Sequence, residues 1–243
     1  LNCFLPHVKK IQWPQNCIIE NIGGSYSWSY SSLVEITIPK FVDEIPPHLF
    51  HHCHFLKVVQ FEEGSILSKI GEYAFSDTCI EKVVLPYSVY VIKKSAFAFN
   101  FHLKEVVFNG EVIEEEAFFE TGITEFSLSN NTEKIEASAF QFCRKLKTFV
   151  IDIENSGLKE IGPRAFAETA NTEINIQPNV TSIKEFTFNG CNFLKEVKIS
   201  SNSNLESVGQ FSFAGDLSLE KVNLPKTVKS LFYTAFINTP SLR

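Results

Sequence analysis

Leu194-Lys195-Glu196-Val197-Lys198-Ile199 repeats the pattern of Leu103-Lys104-Glu105-Val106-Val107-Phe108, and Leu219-Glu220-Lys221-Val222-Asn223-Leu224 repeats it again. Apolar residues at the fourth and sixth positions, with outward positions at the third and fifth, have the period of two that marks a β-strand. Working outward from these hexads, units open at Val8, Leu33, Leu56, Ile80, Leu103, Ile123, Leu146, Asn171, Leu194 and Leu219, with Leu242 placed to open another. The spacings are 25, 23, 24, 23, 20, 23, 25, 23 and 25 residues. A period in this range, held over most of a chain, is the signature of a solenoid.

Further columns run through the units. One is aliphatic: Ile22, Ile45, Ile70, Ile92, Ile113, Ile135, Ile161, Ile183, Val208 and Leu231. Another is aromatic: Trp28, Phe50, Phe75, Phe97, Phe118, Phe140, Phe166, Phe188, Phe213 and Phe236. The two lie five residues apart in every unit but the first, where the spacing is six. The residue before the aromatic is usually Ala, as at Ala74, Ala96, Ala117, Ala139, Ala165 and Ala235, small enough to let adjacent coils approach closely. Three residues after it stand Ser31, Cys53, Thr78, Asn100, Thr121, Cys143, Thr169, Cys191, Asp216 and Thr239. All are small and can hydrogen-bond, so this column is expected to form a polar ladder that satisfies backbone groups in a sharp bend. Length varies between the strand and the aliphatic column, and is greatest between Val150 and Ile161.

One unit cannot bury its apolar face alone. Stacked units bury a continuous core of Leu, Ile and Phe, each side chain contributing roughly 1.5–3 kcal/mol when fully buried. The expected fold is a leucine-rich-repeat solenoid, rich in β-structure, with one parallel sheet on its concave side. Short strands, turns or 3₁₀ segments should fill the convex side, because the unit is too short for a long helix. The whole chain, 1–243, is expected to be a single array of about ten units over 8–241.

The columns resemble the BspA-like, or Treponema-type, leucine-rich repeats, whose pattern is roughly I-x-x-x-A-F-x-x-C-x-x-L-x-x-V-x-[IL]-P. The block from Ile183 through Phe188 and Cys191 to Leu194 and Val197 carries the resemblance, which extends from Val8 to Leu242. It implies a protein-binding or adhesion module and favours a cell-surface or secreted position over a cytoplasmic one. It brings no catalytic residues. The departures are Trp28, the missing Cys at most ladder positions, and Asn171 in place of an opening Leu.

Composition narrows the function. The chain has 24 Phe and no Met, and neither end shows a recognisable cap, so it is expected to be an excised part of a longer array; the alternative is self-association through the solenoid ends. A net charge of −6 with scattered Lys and Arg argues against nucleic acid as a partner. No apolar run is long enough for membrane insertion. No nucleophile motif, phosphate loop or paired metal signature is present, so the protein is read as a non-enzyme without cofactors.

The third and fifth positions of the hexad point away from the core. They place Val58, Val84, Val107 and Val150, with Gln60, on the expected concave surface, beside an acidic column of Glu105, Glu125, Glu173 and Glu196. An apolar strip beside an acidic one suits a basic, partly apolar segment of a protein or glycoprotein. The plain alternative is that Val is favoured in strands and Glu balances nearby Lys. A cell-surface adhesin and an intracellular scaffold would use the same face.

Four of the six His lie in His48-Leu49-Phe50-His51-His52-Cys53-His54. Imidazole and thiolate are good zinc or nickel ligands. With Phe50 and Cys53 filling core and ladder columns, the His are expected to point in different directions on a solvated turn, and no metal site is expected. Cys143 and Cys191 are two units apart, too far for an unstrained disulfide. A Cys53–Cys79 pairing is conceivable, Cys3 falls near a ladder position, and Cys17 lies on a loop. Free thiols would fit a reducing compartment or an anaerobic organism. Glu114-Glu115-Glu116 reads as a solvated edge rather than a calcium site.

Overall fold

A computed structural model describes residues 8–11, 13, 21–151 and 156–243. Gln12, Cys3, Cys17 and much of the long insertion before Leu158 therefore lie outside the described residues. The rest coils as a parallel β-solenoid with no helix. Each hexad forms a strand: Glu35–Ile38, Val58–Phe61, Lys82–Val84, Glu105–Val107, Glu125–Ser127, Thr148–Val150, Glu173–Ile176, Glu196–Ile199 and Lys221–Val222. Lys10 forms a parallel bridge to Glu35, extending the same column into the first unit. From Ile45 onward, each aliphatic-column residue closes a two-residue strand, from Glu44–Ile45 to Ser230–Leu231.

The two strand columns pair differently. Six of the short strands, from Glu44–Ile45 to Glu160–Ile161, form one sheet, and the last three form another. The longer strands divide into four sheets rather than one. Unit length accounts for the divisions. Full-length pairing joins Glu35 to Val58, Lys82 to Glu105, Glu125 to Thr148 and Glu173 to Glu196, and each pair is 23 residues apart. The breaks fall where the spacing is 24, 20 or 25. Two 25-residue spacings do pair, but barely: Glu196 to Lys221 is joined at two residues and Lys10 to Glu35 by a single bridge. Coils of equal length bring the same N–H and C=O groups opposite each other. A coil one residue longer or three shorter shifts that register.

The inward residues form one continuous cluster from Ile22 to Ala235. Its axis is the aromatic column. From Phe50 to Phe236, successive rings are 5.1–5.6 Å apart between centroids and within 16° of parallel. That separation exceeds the ~4.8 Å between strands, so the rings stack with an offset, the arrangement that ring quadrupoles favour. Where an Ala precedes the aromatic it is fully buried, and its carbonyl accepts the aromatic N–H of the preceding coil, as Ala74 does from Phe50 at 2.9 Å.

The turn around each aromatic has a regular backbone. Except at Thr234 in the last unit, residues two before and two after it adopt positive φ, near +50° to +63° at Tyr26 and Tyr30, His48 and His52, Tyr73 and Asp77, Ser95 and Phe99, Glu116 and Glu120. Gly190 and Gly215 occupy the same later position. This conformation costs energy for most residues. Here it is held by bonds on both sides: alternate N–H groups donate to the next coil, as from His48 to Glu72, Phe50 to Ala74 and His52 to Ser76, while those between donate three residues back.

The polar column is the expected ladder. Cys53, Cys143 and Cys191 each donate Sγ–H to the carbonyl of the preceding coil's aromatic, Trp28, Phe118 and Phe166, at 3.0–3.1 Å. Asn100 serves Phe75 and Phe97 together, at 2.7 Å each. Cys53, Cys79, Cys143 and Cys191 are free thiols, so the Cys53–Cys79 pairing does not form. Burial pushes the Cys143 thiol up to about 11.

Candidate functional site

The hexad strands place the outward residues as their alternation requires. Val58, Gln60, Val84, Val107, Glu125, Val150 and Glu173 are exposed, and Glu105 and Glu196 are half-buried. Val84 and Val107 are direct cross-strand neighbours. Val58 belongs to the other outward row, opposite Glu35, and Val150 lies opposite Ser127. The apolar surface is therefore a Val84–Val107 pair with Val58 set to one side and Val150 apart, not an unbroken strip.

The acidic column is largely neutralised. Glu105 pairs with Lys82 at 2.7 Å, Glu173 with Lys198 at 2.8 Å and Glu196 with Lys221 at 3.4 Å. Each pair bridges adjacent coils and is solvent-exposed, so each contributes little to stability. The pairs nevertheless cancel the field that the column would present. Glu125 stands outside these pairs and lines a shallow hollow of about 240 Å³ with Glu105, Val107 and Ser129.

A larger groove, about 1160 Å³, lies where the strand Val58–Phe61 fails to pair with Lys82–Val84. Val58 and Val84, 40% and 52% exposed, stand in it beside Gln60. Its walls are the loops after the two strands, Glu62-Glu63-Gly64-Ser65 and Pro86-Tyr87-Ser88, and Tyr87 is 88% exposed. Glu62 fixes the first loop: its N–H donates to Ile38 O, and its Oε2 accepts the Lys40 N–H, both at 3.0 Å. Ser88 ties the second loop to the first by donating Oγ–H to Ser65 O at 3.0 Å. Three carboxylates, Glu62, Glu63 and Glu81, and two ammonium groups, Lys57 and Lys82, border the groove. Outward alternation finds Val58, Gln60 and Val84 but not these loops. The signal for them is the 24-residue unit, whose extra residue falls beside the groove.

The His-rich turn departs from expectation. His52 and His54 converge rather than diverge: both turn Nδ1 toward Asp77 of the next coil, at 2.6 Å from Oδ2 and 3.7 Å from Oδ1. His48 instead stacks between Tyr26 and Tyr73, with centroids 4.3 and 4.9 Å away and planes within 10° of parallel. Burial lowers the basicity of His48, and that of His51 to about 4, helped by the neighbouring His52 and His48. The acidic triplet is a row of inter-coil partners, as a solvated edge would be. Glu114 and Glu115 pair with Lys93 and Lys94, and Glu116 accepts the Ser95 hydroxyl. Among the described residues no helix is long and apolar enough to cross a membrane.

The fold is shared with solved bacterial proteins. A leucine-rich repeat protein from Bacteroides ovatus matches with 21% identity and a TM-score of 0.50, over 86% of this chain and 77% of its own. The pneumococcal vaccine antigen PcpA matches with 20% identity and a TM-score of 0.53, over 87% of this chain, which spans 61% of the PcpA structure. No curated protein sequence matches the chain. The family model for the BspA type leucine rich repeat region matches residues 20–147 and 111–243, with six copies. Together with the aromatic and polar columns already described, those matches cover most of the sequence, and the chain belongs to the BspA-type leucine-rich repeat family.

Proposed function

We propose that this protein is a binding module that holds a segment of a protein or glycoprotein ligand against its hexad-strand face, the concave side of the solenoid, at a cell surface or after secretion. The observation that carries the reading is the groove at the break between Val58–Phe61 and Lys82–Val84. A groove with exposed Val58, Val84 and Tyr87 suits an apolar anchor. Its excess of carboxylates over ammonium groups favours a neighbouring basic residue on the ligand. The face continues over Val107 and Glu125 to Val150, Glu173 and Glu196, where paired charges set register more than affinity. Free, buried Cys53, Cys143 and Cys191 keep the intracellular scaffold as the second reading. Location of the protein in its own cells separates the two.

The test is selection of peptide ligands from a displayed random library on the immobilised protein, followed by binding to two variants. Val84→Asp combined with Glu105→Lys and Glu125→Lys should weaken the selected ligands at least about tenfold, equivalent to about 1.4 kcal/mol. Glu120→Lys, on the aromatic-column turn, should leave them unchanged. Ligands that bind the first variant undiminished would refute the assignment of this face.

A further inference from the structure

We infer that His52, His54 and Asp77 form a binding site for a divalent transition cation of the zinc class, held on the turn that precedes the groove-bearing strand. Their candidate ligand atoms, the His52 and His54 ring nitrogens and the Asp77 carboxylate, all lie within 4.8 Å of one another. Two imidazoles and a carboxylate are the donor set of many open zinc sites, which leave a fourth position for water or an incoming donor.

The geometry is close to what a cation needs. Zinc–ligand bonds of about 2.0–2.1 Å in a tetrahedron place neighbouring ligand atoms about 3.3 Å apart. The two His–Asp separations here, 2.6 and 3.7 Å, straddle that value. Small side-chain rotations therefore suffice, with the His52 proton moving through solvent from Nδ1 to Nε2 so that Nδ1 is free to ligate.

The backbone holds these ligands in place. His52 and Asp77 occupy the same left-handed position in successive coils, with φ of 57° and 56°. The His52 N–H donates to Ser76 O at 3.0 Å and the Asp77 N–H to Ala98 O at 2.9 Å, so both belong to the inter-coil ladder. The His54 N–H donates to His52 O at 2.9 Å, which folds the second imidazole back beside the first. Tyr30 and His51 pack on the His52 ring, with centroids at 4.7 and 3.7 Å. His52 is thus packed among ring neighbours, while His54 faces solvent.

Calorimetric titration of the intact chain with zinc chloride, repeated with cobalt for its absorption spectrum, tests the site. One cation per chain is expected. His54→Ala and Asp77→Asn should each weaken it at least tenfold, while His102→Ala should leave it unchanged. His54 is exposed, so its substitution should leave the metal-free melting temperature unaltered, which separates loss of a ligand from loss of fold. Absence of saturable binding, or binding that survives His54→Ala and Asp77→Asn but is lost with His48→Ala or His51→Ala, would overturn the assignment.

Discussion

Replacing Asp216 by Asn should stabilise the protein at neutral pH, and more so as the pH rises. Asp216 occupies the polar ladder, fully buried, where other units carry Cys, Thr, Ser or Asn. Its Oδ1 accepts the Cys191 N–H at 2.8 Å, and its Oδ2 is buried without a partner. Burial drives its pKa up to about 9, against the lowering effect of the Cys191 and Gly190 N–H groups. The folded pKa thus lies above the unfolded value of about 3.9. The stabilisation from the neutral carboxyl is complete below about pH 4 and is lost as the pH climbs toward 9. At pH 7, about three pH units at ~1.4 kcal/mol each give a loss of roughly 4 kcal/mol. Asn100, in the same column, shows what an amide does there: its Oδ1 accepts the Thr78 N–H at 3.1 Å and its Nδ2 serves two carbonyls at 2.7 Å. Asn at 216 should reproduce that arrangement, accepting from Cys191 and donating to the carbonyls of Phe188 and Phe213. Local relaxation reduces the gain to roughly 2–4 kcal/mol at pH 7, and to about 1 near pH 5. Denaturant unfolding of both proteins across that range measures the difference. A difference that does not change with pH, or a variant less stable than the parent near pH 8, would refute the reasoning.

The core and the thiols give two further tests. Phe118→Ala should cost about 3–5 kcal/mol, because Phe118 is fully buried between Phe97 and Phe140, with ring centroids 5.6 and 5.2 Å away, and nothing can refill the stack; denaturant unfolding measures it, and a loss below about 1 kcal/mol would show that the stack is not a tight core. Cys143 and Cys191 should resist alkylation in the native protein near pH 8 and react once it is unfolded, since burial raises both thiols; peptide mapping after native labelling should leave both unmodified, and rapid modification would contradict the ladder.

Much of this molecule is legible in its sequence because every coil repeats the same packing problem. The Leu, Ile and Phe columns are apolar at fixed spacing, and the Ser, Cys, Thr and Asn column follows the aromatic by three residues, so core and ladder can be read before any coordinates. The less legible features depend on the relation between coils. Lys82 meets Glu105 only because 23 residues return the chain to the same place, and that meeting removes charge from a column that looks acidic by itself. The groove at Val58 and Val84 follows from a unit one residue longer, which breaks pairing there. His52 and His54 turn toward Asp77 because the left-handed backbone at His52 and Asp77 sets both directions. Neither backbone position has a residue signature, since His, Tyr, Phe, Ser, Glu and Asp all occupy these columns.

Photo-crosslinking tests the binding face most directly. A benzophenone amino acid placed singly at Val58, Val84 or Val150, and at Ser138 on the aromatic-column turn as a comparison, would be activated on the native protein in contact with the cells that produce or meet it. Mass spectrometry of the adducts would then identify what is joined at each position. The account predicts one protein or glycoprotein ligand joined at Val84, with Val58 or Val150 reaching the same ligand and Ser138 silent. Adducts from Ser138 with none from Val84 would contradict it.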